Sequence, residues 1–500
     1  MNLKDDNEFT HEYSGIPTFK TLSDIAGKKV TVMGLGLNGG GEAAVRFFIK
    51  YGAIVTVTDM KTQEQLASTI EHLQNDKSID KSRLRYVLGK HEISDFENAD
   101  CVIKNPGVKY SGNKFLAVAK AIETDLSIFL HFTKAPIIAV TGSKGKSSTV
   151  SAIHYGLCQA GFKAFLGGNI TVSPLTFLEE TNEKTPVVLE ISSWQLSDLR
   201  GRKLLKPKIS LITKIVPDHQ NWYGAMAPYV ADKKLIYAYQ DKNDFAIFTK
   251  DDEWGNIFAS ECKANVFRYS DNKPSQNGCW FGKNDVGVLQ TPIDSHPKIV
   301  LEDVVVPGVH MRKNLLNAAL VMRLMEVPAS KIKEILAKFP GVPHRLEFFH
   351  EWHNSNGTIF RFYNDSAATV PESTIAALNS FKVQPLLISG GTAKLLDMTA
   401  LADEMHKARK IFFLAGTNTD IITNLLDERN VSYEKPFESL ENLLKNLKID
   451  LEQYSEKEEI PIVFSPASTS FGMFANEFDR GDKFKNGVKK IFSARLNACT

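Results

Sequence analysis

The sequence predicts an α/β protein of three domains, and three observations carry that expectation. Short apolar strands alternate with amphipathic helices along nearly the whole chain. Two of the strand-to-helix junctions are glycine-rich turns, at 34–39 and 142–145. The chain has 500 residues, too many for one hydrophobic core, so about three domains of ordinary size are expected.

Taken in order, residues 28–33 read as a strand, followed by the first glycine turn and a helix through Lys50. Residues 54–58 form the next strand, which ends at Asp59. A second block opens with a strand over 136–140 and another glycine turn. The helix after it places Val150, Ile153, Leu157 and Ala160 on one face and stops at Gly161. Strands over 187–189 and 209–212 follow. A third block starts after Phe339-Pro-Gly-Val-Pro343, with strands at 386–389, 411–414 and 462–464. Between the last two, Leu440, Leu443, Leu444 and Leu447 mark a helix face, and Ser455-Glu-Lys-Glu-Glu459 reads as a solvated loop. The expected domains are 1–133, 134–341 and 342–500.

Composition narrows the function. Hydrophobic residues make up 43% and charged ones 24%, which suits packed cores. Sixty basic against 58 acidic residues leave a net charge of +2, no footprint for nucleic acid or an anionic membrane. Anionic ligands must then be held by local sites. Five scattered cysteines without a CxxC pair argue against a disulfide framework or a zinc site. The N-terminus is polar and acidic, unlike a signal peptide, and the apolar runs are too short to span a bilayer. A cytoplasmic enzyme is expected.

The strongest chemical signal is Thr141-Gly142-Ser143-Lys144-Gly145-Lys146-Ser147-Ser148 between a strand and a helix. Glycines let the backbone fold so that successive N–H groups face a phosphate, and the helix N-terminus adds its dipole. Lys146 would neutralise the outer phosphates and the Ser147 hydroxyl would ligate Mg²⁺. The loop is the short form GxxGK[ST], since Val140 stands where the longer form has glycine. Glu190, at the end of a strand in the same sheet, is placed for a second Mg²⁺ contact. By itself a strand-end glutamate is ordinarily a surface residue. Likewise His219 and Lys233, taken singly, read as exposed or structural.

The first turn, Gly34-x-Gly36-x-x-Gly39 with an acid at Asp59, fits a dinucleotide fingerprint. It says only that a diphosphate lies on a helix N-terminus, which a nicotinamide dinucleotide and a uridine diphosphate both supply. The phosphate loop elsewhere in the chain favours UDP.

Together these residues resemble a known family. The phosphate loop, Glu190-Ile-Ser-Ser-Trp-Gln195, Asp218-His219 and the box Tyr229–Lys233 look like the Mur ligases. Gly308-Val-His310, Asn314-Leu-Leu-Asn317, Pro343-His-Arg345 and Asn364-Asp365-Ser366 extend the match over most of the chain. Within the family, Asn105-Pro-Gly107, Gly168-Asn169-Ile170, Gly390-Gly-Thr-Ala-Lys394 and Phe464-Ser-Pro-Ala-Ser-Thr-Ser470-Phe471 resemble the members that add glutamate to a muramoyl-alanine nucleotide.

The resemblance implies a Rossmann-like UDP-binding domain, a central P-loop ATPase domain and a C-terminal Rossmann-like domain that admits the amino acid. It implies ATP-dependent ligation of D-glutamate to UDP-N-acetylmuramoyl-L-alanine through an acyl phosphate, in peptidoglycan precursor synthesis by a monomer. The enantiomer is inferred from the family alone. Carried over by motif, Leu37, Asn38 and Asp59 would line the uridine diphosphate, with Asn105, Gly107, Asn169, Ser192 and Gln195 further along that substrate. Gly142 to Ser148 (Ser143, Lys144, Gly145, Lys146 and Ser147 included) would hold ATP, with Asn314 and Asn317 at the adenine, Asp365 at the ribose and Arg345 at the γ-phosphate. One Mg²⁺ would belong to Ser147 and Glu190, and another to His219 and a carbamylated Lys233. Thr369, Lys394, Ser470 and Phe471 would hold glutamate. Lys146, His219, Lys233 and Arg345 would carry the chemistry. The chain departs from the pattern at Ala367, where many relatives have lysine, and at Lys144, where asparagine is common. Two rivals stay open: a ligase of the same superfamily with another amino acid or folate as substrate, and a nucleotide-binding switch.

Overall fold

The computed structural model describes residues 11–37, 39–170, 172–274, 277–394, 396–455, 457–470 and 473–493. The first sheet is built from five parallel strands, β1 (Lys29–Met33), β2 (Ile54–Asp59), β3 (Leu84–Leu88), β4 (Cys101–Lys104) and β5 (Ile122–Glu123). Their spatial order is β3-β2-β1-β4-β5, so the order reverses between β1 and β4. The turns after those two strands therefore face one crevice, the usual binding place in such a sheet. Val30 and Val32 are buried on β1, as the apolar run of a doubly covered parallel strand requires.

The second sheet has nine strands. These are β6 (Ile137–Thr141), β7 (Phe165–Gly168), β8 (Val187–Glu190), β9 (Ile209–Ile212), β10 (Phe245–Thr249), β11 (Asn265–Ser270), β12 (Gly278–Phe281), β13 (Gly287–Gln290) and β14 (Lys298–Leu301). They run in the order β14-β13-β12-β11-β10-β9-β6-β8-β7. Central β6 pairs in parallel with β8 and β9, which brings the phosphate loop, Glu190 and the segment after Ile212 to one end of the sheet. The far edge, β12 to β14, is antiparallel.

Residues 1–302 and 316–335 form one compact unit, which contains both of these sheets. One apolar cluster serves both: Phe48 and Phe129 belong to it together with Leu189, Ile212 and Phe248. Two buried ion pairs also join them, Lys104–Asp198 at 2.9 Å and Arg202–Glu123 at 2.8 Å.

Residues 303–315 and 336–500 form the second unit. Its sheet runs β15 (Glu347–His353), β16 (Ile359–Asn364), β19 (Glu459–Phe464), β17 (Leu386–Gly390) and β18 (Lys410–Leu414) in that spatial order. All pairings are parallel except β15 with β16. Leu443, Leu444 and Leu447 of helix Leu440–Leu451 pack on it with Phe360, Phe362 and Phe464. Glu459 already belongs to a strand, because its pairing with Ile359 extends the ladder beyond the apolar residues; the charged loop is shorter than the sequence suggested. Glu456 lies outside the described residues.

Phe362 is fully buried in that core. Its truncation to alanine should cost about 3–5 kcal/mol through lost burial and the cavity left behind. Denaturant unfolding of the full chain measures this, and a loss below about 1 kcal/mol would contradict the packing described.

Candidate active site

The site grows from the end of β6. Gly142 has φ +142°, and a Cβ there would stand 1.9 Å from Thr213 Oγ1, so only glycine fits between the two strand ends. Thr213 Oγ1 in turn donates to the Lys144 carbonyl at 2.7 Å. Ser143 is fixed from three sides: its N–H donates to the Lys214 carbonyl, while its hydroxyl bridges Val216 and the Tyr229 hydroxyl at 2.9 Å. Gly145 ends the loop at the N-cap of helix Lys146–Ala160. The loop is held open by its own chain, with its N-terminal helix dipole at the far side.

Two lysines meet at this loop. Lys146 Nζ donates to the carbonyls of Gly142 at 3.0 Å and Ser143 at 3.2 Å. Lys233, on helix Met226–Lys234, is 1% exposed, and its Nζ donates to the same Gly142 carbonyl at 2.9 Å. Burial pushes the Lys233 amine down to about 7, and the Lys146 charge pushes it further the same way, against Asp218, Asp232 and Glu190. Lys146 is also lowered, again first by burial. Asp232, next to Lys233, is committed elsewhere, to Arg200 at 2.5 Å and the Tyr223 hydroxyl at 2.9 Å.

Glu190 ends β8 at 2% exposure. Its Oε1 accepts from Asn169 Nδ2 at 2.9 Å, whereas Oε2 is buried without a hydrogen-bond partner. An unpaired carboxylate oxygen beside a phosphate loop is a donor suited to a hard cation. Among the described residues no three His, Cys, Asp or Glu side chains gather into a metal cage. A cation bound here would be completed by ligands such as the Ser147 hydroxyl and phosphate oxygens, the usual habit of Mg²⁺. His219 is exposed, with φ +52°, and its ring lies 4.9 Å from that of Trp194 and 6.2 Å from that of Tyr229. Lys233 Nζ stands 4.6 Å over the same Tyr229 ring. Ser192 and Gln195 cap each other across helix Ser193–Ser197. Lys144 is exposed, 3.8 Å from Asp218.

A cavity of about 270 Å³ runs from the first glycine turn to this region. Gly34, Gly40 and Gly41 line it together with Asn105, Gly107, Gly168, Asn169 and Gln195. A Cβ at Gly41 would meet the Leu35 carbonyl at 2.3 Å, so the helix packs tightly against its own turn. Asp59 accepts from Gly36 N–H at 3.1 Å and Lys61 N–H at 2.9 Å, bracing the turn from beneath. Leu37 is exposed, and Asn38 lies outside the described residues.

Helix Val309–Leu324 carries Asn314 and Asn317; Asn317 Oδ1 is buried without a hydrogen-bond partner. In the second unit three strand-end loops are laced together. Ser465 Oγ donates to Asp365 at 2.7 Å, Ala467 N–H to the Ala368 carbonyl at 3.0 Å and Thr469 N–H to the Thr392 carbonyl at 3.1 Å. Burial pushes the Asp365 carboxyl up to about 7, against its hydrogen bonds and Arg345. Arg345 and Lys394 are exposed, Thr369 is half-buried and Ser470 is buried. Phe471 lies outside the described residues. Arg480, 1% exposed, donates to the carbonyls of Ser366, Ser468 and Thr469 and so ties two of these loops together. Sequence reasoning gave it no role beyond its place in the family-like run Phe478–Phe484, inside the amphipathic helix Glu477–Ile491.

Comparison with known proteins identifies the family. The family model described as Mur ligase middle domain matches residues 140–322, and the one described as Mur ligase MurD-like, N-terminal domain, matches 28–128. A UDP-N-acetylmuramoylalanine–D-glutamate ligase of Treponema pallidum (strain Nichols) is 39% identical, covering 94% of this chain and 98% of that protein. Its namesake from Borreliella burgdorferi (strain ZS7) is 37% identical over 94% and 99%. The crystal structure of the UDP-N-acetylmuramate-alanine ligase MurC from Thermotoga maritima shares the fold, with a TM-score of 0.53 at 18% identity over 93% and 99% of the chains. The chain belongs to the Mur ligase family, among the UDP-N-acetylmuramoylalanine–D-glutamate ligases.

Proposed function

We propose that this chain joins D-glutamate to UDP-N-acetylmuramoyl-L-alanine at the expense of ATP, in the cytoplasmic synthesis of peptidoglycan precursors. One observation carries the reading. A single cavity leads from a glycine turn suited to a diphosphate to Asn169, whose amide touches Glu190 beside the phosphate loop. A long nucleotide lying there presents its far carboxylate where a γ-phosphate would be. The relatives' shared name supplies the identity of both substrates.

A carboxylate and an amine do not condense in water, because the departing oxygen is a poor leaving group. In the proposed route the alanyl carboxylate oxygen bonds to the γ-phosphorus as the bond to the β,γ-bridging oxygen breaks, releasing ADP. The glutamate nitrogen then bonds to the acyl carbon, loses a proton, and phosphate departs. The first step brings two anions together, so fixed positive charge is the main requirement. We assign Lys146 to this work, its ammonium exchanging two loop carbonyls for phosphate oxygens. Gly142, Ser143, Lys144, Gly145, Ser147 and Ser148 would cradle the nucleotide. We assign Ser147 and Glu190 to one Mg²⁺, and His219 with Lys233 to a second. Bound there, the ions would offset charge on the transferring phosphoryl group.

Lys233 fits carbamylation for a reason of its own. It is buried, has no carboxylate as hydrogen-bond partner, and shares a carbonyl with a second amine, so burial and repulsion both favour the uncharged nucleophile that adds to CO₂. The carbamate would replace an awkward cation by oxygen donors. We assign Arg345 and Asp365 to the nucleotide, Asn314 and Asn317 of helix Val309–Leu324 to its base, and Thr369, Lys394 and Ser470 to glutamate. Leu37, Asp59, Asn105, Gly107, Asn169, Ser192 and Gln195 remain our choice for the UDP substrate. The domain limits 133 and 341, and a monomeric enzyme, belong to the same proposal. No helix among the described residues is long and apolar enough to cross a membrane.

Purified protein with Mg²⁺, ATP and UDP-N-acetylmuramoyl-L-alanine should release phosphate on addition of D-glutamate and not L-glutamate; silence with both enantiomers would refute the reading. Lys233→Ala should lose about 100-fold or more in kcat and regain part of it with bicarbonate or short carboxylates. Full activity without such additives would remove Lys233 from the site. Gly142→Ala should weaken ATP binding about tenfold or more, because its Cβ has no room beside Thr213. Calorimetric titration of ATP checks this.

A further inference from the structure

We propose that Lys104, held by Asp198, is a positioning residue for the muramoyl nucleotide, an inference that rests on the reading above. Lys104 ends β4 at 2% exposure. Its Nζ donates to the carbonyls of Asn105 at 3.1 Å and Val108 at 2.9 Å, the two ends of the turn that carries Pro106 and Gly107. The same ammonium lies 2.9 Å from Asp198 Oδ2. The Lys104 ammonium is ion-paired to that oxygen, and the Arg202 charge acts on the same carboxylate. Asp198 directly follows helix Ser193–Ser197, whose Trp194 and Gln195 line the same cavity as the turn. Lys104 therefore fixes the turn and fastens it to this helix.

A second cavity, of about 330 Å³, lies against Pro106, Val108 and Tyr110, and Lys104 lines it as well. Val108 and Tyr110 pack on the cluster of Met33, Phe96 and Val102, and the two carbonyl bonds and the buried ion pair add directed contacts to that packing. Tyr13 reinforces the anchor, its hydroxyl donating to Asp198 Oδ1 at 3.1 Å.

The test measures binding of UDP-N-acetylmuramoyl-L-alanine and of ATP to the full chain by calorimetry. In Lys104→Met the Kd for the muramoyl nucleotide should rise about tenfold or more, while that for ATP stays within about threefold. The double variant Lys104→Met/Asp198→Asn removes the stranded carboxylate, so its unfolding midpoint should recover toward the wild type. Its Kd for the muramoyl nucleotide should stay raised, since the two carbonyl bonds are still missing. Should the single variant not fold, the double variant carries the measurement. Equal affinity in wild type and variant, a parallel loss for both ligands, or affinity that recovers with the midpoint would overturn the role of Lys104 and leave the proposed reaction standing. A wild type that fails to bind the muramoyl nucleotide would overturn both.

Discussion

Two amines share one carbonyl oxygen, that of Gly142, and much of the active region follows from that crowding. Lys146 and Lys233 both donate to it, at 3.0 and 2.9 Å, from a largely buried setting. Two ammonium groups so close repel each other, and low polarity around them magnifies the repulsion. The fold resolves this by asymmetry. Lys146 sits at a helix start, half-exposed and free to turn toward an incoming anion, whereas Lys233 is sealed under Tyr229. One lysine is suited to remain a cation and the other to surrender its charge.

That asymmetry depends on the surrounding frame. Thr213 locks the loop from β9, Tyr229 and Ser143 lock it from the helix that bears Lys233, and Glu190 stands on the other neighbouring strand. Charges in the region are mostly matched within the protein: Asp232 with Arg200, Asp198 with Lys104, Glu123 with Arg202. The Oε2 of Glu190 is left over. Beside the phosphate loop, a buried carboxylate oxygen with neither a hydrogen bond nor an ion pair is a place for a cation that arrives from outside.

The glycine-turn units were legible without coordinates, because their signals are neighbours in sequence. The phosphate loop, its strand and its helix are one local unit, and β6 and the helix end at Gly161 stand within a residue of expectation. The edge strands β12 to β14 were missed, since segments of four residues such as Gly278–Phe281 give too little periodicity to register. Asp59 was expected to line the uridine diphosphate; that its two oxygens also accept the N–H groups of Gly36 and Lys61 is a use that no motif announces. Lys104 and Asp198 were invisible for another reason. Ninety-odd residues separate them, each is an ordinary residue type in an ordinary place, and only the fold makes them partners. Arg480 is the same case in the second unit, a single guanidinium that collects carbonyls from two distant loops.

The apolar cluster common to the first two sheets has a consequence for selectivity. Because Phe48 and Phe129 pack into the same core as Leu189 and Ile212, the span between the glycine turn at Gly34 and the carboxylate at Glu190 is set by covalent geometry and packing. In the proposed reaction such a span would work as a gauge. An acceptor would be chosen by its reach as much as by its functional groups, one sugar or one residue too few leaving its reactive end short of the phosphorus.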